Sequence, residues 1–467
     1  MIGIRSYGTY VPRWRIGRNT IAEAWGLGGP GNAPVSGERS FTWFDEDAVT
    51  MAVEACLDCM ADLSVAPPDG VLFASSTLPT LGSSAAALVT ESVGLASGSK
   101  VLDLVSLGAG TSALLAAADS IKSNSISSAL IVASDSPAPP PGSREELLAG
   151  DAAAAFLFTE QGCIANLLGS FSLTRSQRYG RQPDAAQVVH DLTDAINGLL
   201  KRYNLTSKNF TRVAISVPDR AVGNAVARKI GIPGDGSPED QVAAMVGYSG
   251  ASHPFLMLAG ALEESKPGDT ILLAGFGDGA DALIFEATRG ITEFQKRARL
   301  ARSMDAKRRI DAYGFFLAAK GRVQAAMPFM PSAARAVRGP VWPHLSLAGA
   351  TCPGCGTIAE PEAAGCAACR DAKLVRTVIP RTGTVAENAK SVTPRTPWSE
   401  SFSLPVAFAG GLKLSFPLTD AHGAAVKPGD EMELVFRSGR AGDSTQYCWK
   451  CAPKRTPDAT QLVLKAR

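Results

Sequence analysis

The feature that most restricts the fold is a pattern of short strands and helices that occurs twice before about residue 287. The first copy contains three β-branched runs that predict strands and one strand–turn–helix segment, in chain order residues 70–76, 103–121, 127–135 and 150–159. In the second, weaker copy, residues 212–218 match the first run and residues 247–265 match the strand–turn–helix segment. Residues 269–286 match the last two runs joined. Strands alternating with helices predict an α/β fold, and the repeat predicts a duplicated unit with helices on both faces of a sheet.

Length and composition indicate more than one domain. The chain has 467 residues, more than one ordinary hydrophobic core holds. Hydrophobic residues make up 45% and charged residues 19%, which is typical of a globular protein with a large interior. A stretch rich in Pro and small residues near residue 330 predicts a linker. We therefore expect two related halves at 1–165 and 166–330, a linker and cysteine-rich segment at 331–370, and a last domain at 371–467.

Charge and hydropathy exclude several classes of partner. The formal net charge of +2 is too small to indicate nucleic-acid binding, and no dense basic run dominates the chain. The N-terminal segment has no apolar signal-peptide core, and no apolar run approaches the roughly 18 residues that span a bilayer. We expect a cytoplasmic protein with no nucleic-acid and no membrane partner. Its nine cysteines should then bind metal or remain thiols rather than form disulfides.

Four cysteines form the sharpest motif of the chain, C-x2-C followed after ten residues by a second C-x2-C. Each pair predicts a knuckle whose two thiolates face one ion, and two knuckles give the tetrahedral sulphur coordination that Zn²⁺ accepts. A site with four protein ligands is closed, so we expect structural rather than catalytic zinc. An iron–sulphur or redox site is the alternative. The predicted ligands are Cys352, Cys355, Cys366 and Cys369.

The residues after the cysteine motif read as short strands separated by turns. Many short strands at regular spacing are typical of a small barrel, and an OB-like barrel fits after a zinc ribbon. Cys448 and Cys451 form another C-x2-C, but in a predicted strand. Residues three apart in a strand point to opposite faces, so we expect no second metal site there.

The first 330 residues resemble the thiolase superfamily, in particular its 3-hydroxy-3-methylglutaryl-CoA synthase and ketoacyl synthase III branch. The matching stretches include "LDLVSLGAGTSALLAA", "PPPGSREELLAGDAAAAFLF", "YSGASHPFLMLAGALEESKPGD" and "GFGDGADALIF", in the order of the family. Roughly the last 120 residues resemble the zinc-ribbon and OB-fold proteins that accompany such enzymes, through the cysteine motif and "YCWKCAP". The resemblance implies a duplicated five-layer thiolase-like fold, an acyl-CoA thioester as substrate, and a homodimer or a heteromer with a thiolase homologue.

The chain departs from the residues on which the family's chemistry depends. The family's nucleophilic cysteine falls on Leu107, or with one residue of slack on Ser106. The position of its glutamate falls in the run 75–77, which is Ser-Ser-Thr, and that of its histidine falls on Ser216. We therefore expect no ordinary Claisen condensation. Ser106 as a substitute nucleophile stays an alternative, although a serine hydroxyl needs an adjacent base.

Two residues in the second half are candidates for a recruited catalytic pair. Tyr248 and His253 lie in "GYSGASHPFLML", and Pro254 predicts a helix N-terminus at His253, where the helix dipole favours a neutral imidazole. A tyrosine or neutral histidine can polarise a carbonyl or take a proton from a hydroxyl. Backbone N–H groups at Gly108, Gly110 and Gly277 are the predicted substrate-binding donors for an enolate oxygen.

These features lead to one main hypothesis and two alternatives. The main hypothesis is an atypical thiolase-superfamily enzyme that forms or cleaves a C–C bond of an acyl-CoA, most simply by retro-aldol cleavage, which needs no acyl-enzyme. The first alternative is a non-catalytic pseudo-thiolase subunit that binds acyl-CoA and supports an active partner. The second, a nucleic-acid module in the C-terminal part, is disfavoured because the barrel has few aromatics and no basic stripe.

Overall fold

The computed structural model divides the chain into two compact units. The first comprises Met1–Thr90 and Ser97–Val323, and the second comprises Glu91–Ala96 and Gln324–Thr456. The residues that the structure describes are 1–27, 35–61, 66–79, 82–95, 98–175, 184–232, 239–323, 345–359, 363–370, 373–394, 402–421, 425–441 and 444–455.

The first unit alternates strands and helices along most of its length. Its described strands are β1 (Gly3–Tyr10), β2 (Trp14–Gly17), β3 (Glu38–Phe41), β4 (Gly70–Ser75), β5 (Lys100–Val105), β6 (Ser128–Asp135), β7 (Ala152–Thr159), β8 (Ala165–Thr174), β9 (Arg212–Ser216), β10 (Thr270–Gly277), β11 (Gly279–Ala287) and β12 (Arg308–Ile310). Its described helices are α1 (Arg18–Ala24), α2 (Ala48–Met60), α3 (Ala85–Ser92, which ends in the second unit), α4 (Ala109–Lys122), α5 (Arg144–Leu148), α6 (Ala185–Tyr203), α7 (Arg220–Lys229), α8 (Glu239–Met245), α9 (His253–Glu264), α10 (Ile291–Gln295), α11 (Arg299–Asp305) and α12 (Tyr313–Ala319). Among the described helices of the chain, none is long and apolar enough to cross a bilayer.

Nine strands form one sheet in the order β5-β4-β6-β7-β1-β8-β11-β10-β9. In the first half, β4 is parallel to β5 and β6, while β7 is antiparallel to β6 and β1. The second half repeats this scheme, because β9 is parallel to β10 and β11 is antiparallel to β10 and β8. The duplication predicted from the sequence is therefore present in the strand topology.

Helices cover both faces of the sheet in each half. Side chains along β10 alternate: Ile271 and Leu273 join the core that contains α4 and α9, whereas Leu272 and Ala274 join a core with α6 and α7. In the first half, α4 packs on β4 and β6, and α2 packs on β1 and β7. The layers therefore run α2, first-half strands, α4 with α9, second-half strands, and α6 with α7. The predicted α/β layering holds for these elements.

Polar caps fix the ends of the covering helices. The carboxylate of Asp47 accepts the Thr50 N–H at 2.9 Å, and the Thr50 hydroxyl accepts the Asp47 N–H at 2.8 Å, which closes a capping box at the start of α2. Asp184 caps α6 through the N–H of Gln187, and Asn204 ends that helix in the left-handed conformation. Asp47 and Asp184 therefore fix where α2 and α6 begin, and Asn204 fixes where α6 ends.

One predicted strand is wrong. The segment 247–265 was expected to repeat the strand, turn and helix of 103–121, but within the described residues only α9 and a 3₁₀ turn at Gly250–Ser252 form there. Tyr248 makes an isolated bridge with Ala149 instead. Gly247 and Gly250 have φ of 100° and 56°, so the chain turns twice where a strand would need extended backbone.

The second unit is built from short antiparallel strands. They are β13 (Ala348–Thr351), β14 (Ile358–Ala359), β15 (Val375–Val378), β16 (Thr382–Val385), β17 (Ser403–Ala407), β18 (Lys413–Pro417), β19 (Glu431–Ala441) and β20 (Ser444–Pro453). The first three form one sheet, and the other five form a sheet in the order β18-β17-β16-β19-β20. Its two edge strands meet at a parallel bridge between Leu418 and Cys451, so the sheet curls into a half-barrel.

Candidate active site

The carboxyl ends of three parallel strands meet at one edge of the first-half sheet. Ser75 at the end of β4 pairs with Val105 at the end of β5, so the chain continues side by side into Ser76 and Ser106. β6, the other neighbour of β4, ends at Asp135. In open α/β sheets, ligands bind at the carboxyl ends of the strands, which makes this edge the candidate site.

The turn between β5 and α4 has no cysteine where the resemblance places the nucleophile. Leu107 is half-buried and packs against the second-half core, whereas Ser106 lines a cavity. α4 begins at Ala109, and its N-cap Gly108 contributes no side chain. The first-turn N–H groups of a helix have no intrahelical acceptor, so this end of α4 offers donors and a positive potential.

The glycine turns of the two halves touch at this point. A Cβ placed on Gly277 would lie 2.3 Å from the backbone N and Cα of Gly108, so only glycine allows the approach. Next to this contact is an open cavity of about 350 Å³ lined by Ser106, Gly108, Gly277 and residues of α4, β8 and β11. The structure thus brings together three of the predicted residues: Ser106, Gly108 and Gly277.

Gly110 is buried and packs closely against the second half. A Cβ on Gly110 would lie 2.1 Å from the carbonyl oxygen of Ala251, so this glycine allows α4 to contact the Gly250–Ser252 turn. It does not line the cavity. Its predicted contact with substrate stays a prediction, since the geometry gives it a packing role.

Tyr248 and His253 flank the Gly250–Ser252 turn, and their rings lie against each other. Their ring centroids are 5.0 Å apart, and Phe276 stacks on Tyr248 with centroids 6.3 Å apart. Two backbone hydrogen bonds to the first half fix Tyr248. Its N–H donates to the carbonyl of Leu148 at 2.7 Å, and its carbonyl accepts from the N–H of Gly150 at 2.9 Å. Neither ring lines the cavity beside Ser106.

Burial keeps both rings neutral. It lowers the pKa of His253 to about 3, so this imidazole does not become charged near neutral pH. Burial and then the nearby Asp135 charge raise the pKa of the Tyr248 hydroxyl. Nδ1 of His253 is buried without a hydrogen-bond partner, and the Tyr248 hydroxyl bonds to no other described side chain. Tyr248 is therefore a hydrogen-bond donor, and both groups are weak as proton acceptors.

Sequence reasoning missed the most connected group of the site, the carboxylate of Asp135. Its Oδ1 accepts from the Ser75 hydroxyl, both donor groups of Thr77 and the Ser76 N–H, at 2.7–2.9 Å. Its Oδ2 accepts from the Ser76 hydroxyl at 2.7 Å and the Ala251 N–H at 2.6 Å. Burial raises the pKa of Asp135, and its hydrogen bonds oppose that rise. The sequence did contain a signal for this group, because polar residues end two apolar strand runs, Ser75 and Ser76 in one and Asp135 in the other.

The four predicted metal-ligating cysteines converge in the second unit. Their sulphur atoms all lie within 4.8 Å of one another, and Cys352–Cys369 and Cys355–Cys366 are each 3.4 Å apart. Zn–S bonds of about 2.3 Å in a tetrahedron place sulphurs about 3.8 Å apart, so the cluster fits that ion.

Both cysteine pairs have the same turn. The N–H of Gly356 bonds to the carbonyl of Cys352 at 2.8 Å, and the N–H of Arg370 bonds to that of Cys366 at 2.9 Å. Gly356 and Arg370 both have positive φ, 72° and 62°. Backbone N–H groups of residues 368 and 369 lower the pKa of Cys366 to about 6, which favours the thiolate that binds metal.

The layered fold and the site at the meeting of two glycine turns define a thiolase-like α/β protein. The chain is homologous to hydroxymethylglutaryl-CoA synthases. It is 28% identical over 345 residues to the enzyme of Methanopyrus kandleri, covering 69% of this chain and 98% of that one. It is 28% identical over 347 residues to the enzyme of Archaeoglobus fulgidus, covering 70% and 100%. No family model matches the sequence.

Solved structures agree with this fold. An HMG-CoA synthase complexed with CoA matches with a TM-score of 0.60 at 18% identity, covering 68% of this chain and 89% of that chain. The 3-oxoacyl-(acyl carrier protein) synthase III of Pseudomonas aeruginosa matches with a TM-score of 0.50 at 21% identity, covering 62% and 98%. The expected fold of the first unit is therefore confirmed.

Proposed function

We propose that the protein is a thiolase-superfamily enzyme that cleaves or forms a C–C bond of an acyl-CoA thioester by aldol chemistry, without an acyl-enzyme. The observation that carries this proposal is Leu107, an apolar side chain at the position of the expected nucleophile, in a turn whose glycine contacts remain intact. Homologues named hydroxymethylglutaryl-CoA synthase support a CoA thioester as the substrate.

The polar groups of the site fit retro-aldol cleavage. The β-hydroxyl of the substrate loses its proton, the Cα–Cβ bond breaks, and its electron pair forms the enolate of the remaining thioester. Hydrogen-bond donors stabilise the enolate oxygen; Tyr248, which stays protonated, and the N–H groups at Gly108, Gly110 and Gly277 are the candidates. His253 stays neutral and orients Tyr248 through the ring contact.

The test is incubation of the purified, zinc-loaded chain with β-hydroxyacyl-, β-ketoacyl- and acetyl-CoA thioesters, with mass spectrometry of products and intact protein. We expect a free aldehyde or ketone, a shortened acyl-CoA and no protein adduct. Tyr248→Phe should lower kcat by about 10²-fold, the range measured for loss of one oxyanion donor. An acyl adduct on Ser106 would refute the mechanism and establish a serine nucleophile.

We propose that the second unit contains a structural zinc ribbon followed by an OB-like barrel that assists acyl-CoA binding. The four sulphurs and the two matching turns support zinc held by Cys352, Cys355, Cys366 and Cys369. In the five-stranded sheet, β16 pairs with β17 and β19, and β18 meets β17 and β20, which is the order of an OB barrel. One zinc per chain by elemental analysis, lost in Cys366→Ser, tests the ribbon. Cysteines that remain reduced are typical of the cytosol, which supports the proposal that the protein is cytoplasmic.

A second candidate function is a pseudo-thiolase subunit that binds acyl-CoA for an active partner. It is favoured by β5, a sheet edge on which Val101, Leu102 and Val105 are 41%, 48% and 63% exposed. An apolar edge strand of this kind is a pairing surface for a second copy or a homologue. Tight CoA binding without turnover of any thioester, with a homologue recovered from the native cell, would support this function over the first.

A further inference from the structure

The proposed cleavage requires a proton acceptor for the β-hydroxyl, and the two candidate rings do not supply one. Tyr248 holds its proton, and neutral His253 is a weak base. The acceptor must be a group with lone pairs that face the site and with a route for the proton to a carboxylate. Ser76 and Asp135, at the carboxyl ends of β4 and β6, are arranged in this way.

The hydrogen of the Ser76 hydroxyl is directed inward. Ser76 Oγ donates to Oδ2 of the buried Asp135 at 2.7 Å, while the side of Ser76 away from Asp135 is exposed. A hydroxyl that gives its one hydrogen to a carboxylate presents only lone pairs on its open side. Ser76 therefore accepts a hydrogen bond from a ligand but does not donate one.

Ser76 lies within the candidate site. β4 and β5 are parallel and in register at Ser75 and Val105, so Ser76 stands beside Ser106. A Cβ on Gly250 would lie 3.0 Å from Ser76 Oγ and 2.2 Å from Asp135 Oδ2, so the Gly250–Ser252 turn closes over the pair. This turn also connects Tyr248 to His253, which puts the donors and the acceptor on adjoining segments.

We propose that Ser76, backed by Asp135, binds the β-hydroxyl group of a β-hydroxyacyl thioester and relays its proton, an inference that rests on the proposed function. The β-hydroxyl proton moves to Ser76 Oγ as the proton of Ser76 moves to Asp135 Oδ2. The electron pair left on the oxygen forms the carbonyl at Cβ, and the electron pair of the broken Cα–Cβ bond forms the enolate. The proton then returns through Ser76 to Cα, which gives the shortened acyl-CoA and restores the carboxylate. Ser76 is thus the catalytic residue that touches the substrate, and Asp135 acts through Ser76 as the acceptor of the proton.

This arrangement selects a substrate class. The open side of Ser76 carries lone pairs, so it binds a β-hydroxyl and gains nothing from a β-keto oxygen, which is itself an acceptor. Preference for the hydroxyl should therefore be visible in binding as well as in turnover. A hydrogen bond to a group that is itself paired with a charge is strong enough for the protein to bind a ligand with the hydroxyl roughly tenfold more tightly than the same ligand without it.

The binding experiment uses the full chain and two thioethers that cannot be cleaved, S-(3-hydroxybutyl)-CoA and S-butyl-CoA, in calorimetric titrations. The wild type should bind the hydroxyl ligand roughly tenfold more tightly, and Ser76→Ala should reduce the difference to about twofold. Ser76→Thr, which keeps a hydroxyl, should restore it. Ser75→Ala is the matched control, because Ser75 donates to the same carboxylate at 2.8 Å but is buried. A preference retained in Ser76→Ala would overturn the proposal.

Turnover distinguishes this inference from the proposed function. Ser76→Ala should lower kcat for 3-hydroxybutyryl-CoA at least about 100-fold, as expected for loss of a positioned acid–base group. Cleavage by the wild type and by Ser76→Ala at equal rates would refute the relay and leave the proposed function standing. A wild type that cleaves no thioester but keeps a Ser76-dependent preference would refute the function and support the hydroxyl site.

Discussion

Substituting Gly277 by alanine should separate the two glycine turns at the candidate site. The new Cβ would lie 2.3 Å from the N and Cα of Gly108, whereas carbon atoms in ordinary contact are at least about 3.4 Å apart. Both neighbours are backbone atoms, so no side-chain rotation relieves the clash. The two turns must move apart by about 1 Å, which displaces the N-terminus of α4 together with Ser106.

Two losses should follow. Overpacking of this kind costs about 2 kcal/mol, equivalent to a fall in Tm of about 3 °C for a unit of this size. A displacement of about 1 Å in an active site costs roughly 10²-fold in rate, so kcat for a β-hydroxyacyl-CoA that the wild type cleaves should fall by that factor. Differential scanning calorimetry and steady-state kinetics measure the two effects separately.

Gly314→Ala is the matched control for this prediction. Gly314 lies in α12, and a Cβ there would have no atom within 4 Å. Alanine in a helix is more favourable than glycine by about 1 kcal/mol, so Tm should rise slightly and kcat should not change. Wild-type Tm and kcat in Gly277→Ala would refute the reasoning that this close contact shapes the site.

Three further predictions concern buried charge, pH and association. Lys320 and Asp151 form a buried ion pair at 2.6 Å, so Lys320→Met or Asp151→Asn alone should cost about 3–5 kcal/mol in urea unfolding. The double variant should cost less than the sum of the two single variants. Burial lowers the folded pKa of His253 to about 3, below the unfolded value of about 6.5. The unfolded state then binds the extra proton, so this residue should reduce the free energy of unfolding by about 1.4 kcal/mol per unit as pH falls from 6.5 towards 3, and His253→Gln should remove that slope in pH-dependent unfolding. Val105→Lys on the exposed edge of β5 should shift sedimentation towards a monomer, and an unchanged sedimentation coefficient would count against association through this edge.

Local patterns were sufficient to predict several buried strands of the first unit. β4, β6 and β7 were visible because each is an apolar run bounded by turn residues, and buried strands of this kind need little context. The convergence of the four cysteines was predictable for a related reason, since the two cysteines of each pair lie within four residues of sequence. In these cases the information that specifies the structure is short-range.

The parts that were missed depend on pairings distant in sequence. Asp135 bonds to Ser75 and Ser76 about sixty residues earlier and to Ala251 more than a hundred residues later, so no local pattern marks it. The failed strand near Tyr248 has the same origin. Its apolar sequence permits a strand, but the bonds to Leu148 and Gly150 and the positive φ of Gly247 fix a turn instead.

The position of β1 in the sheet has a consequence for synthesis of the chain. Although β1 precedes the other strands of the sheet along the chain, it lies in the interior of the sheet, between β7 and β8. Its partners end at residue 174, so at 5–20 residues per second the ribosome takes roughly ten to thirty seconds to deliver them. During that interval an apolar strand has both hydrogen-bonding edges exposed, and it is the segment on which we expect a co-translational chaperone to act.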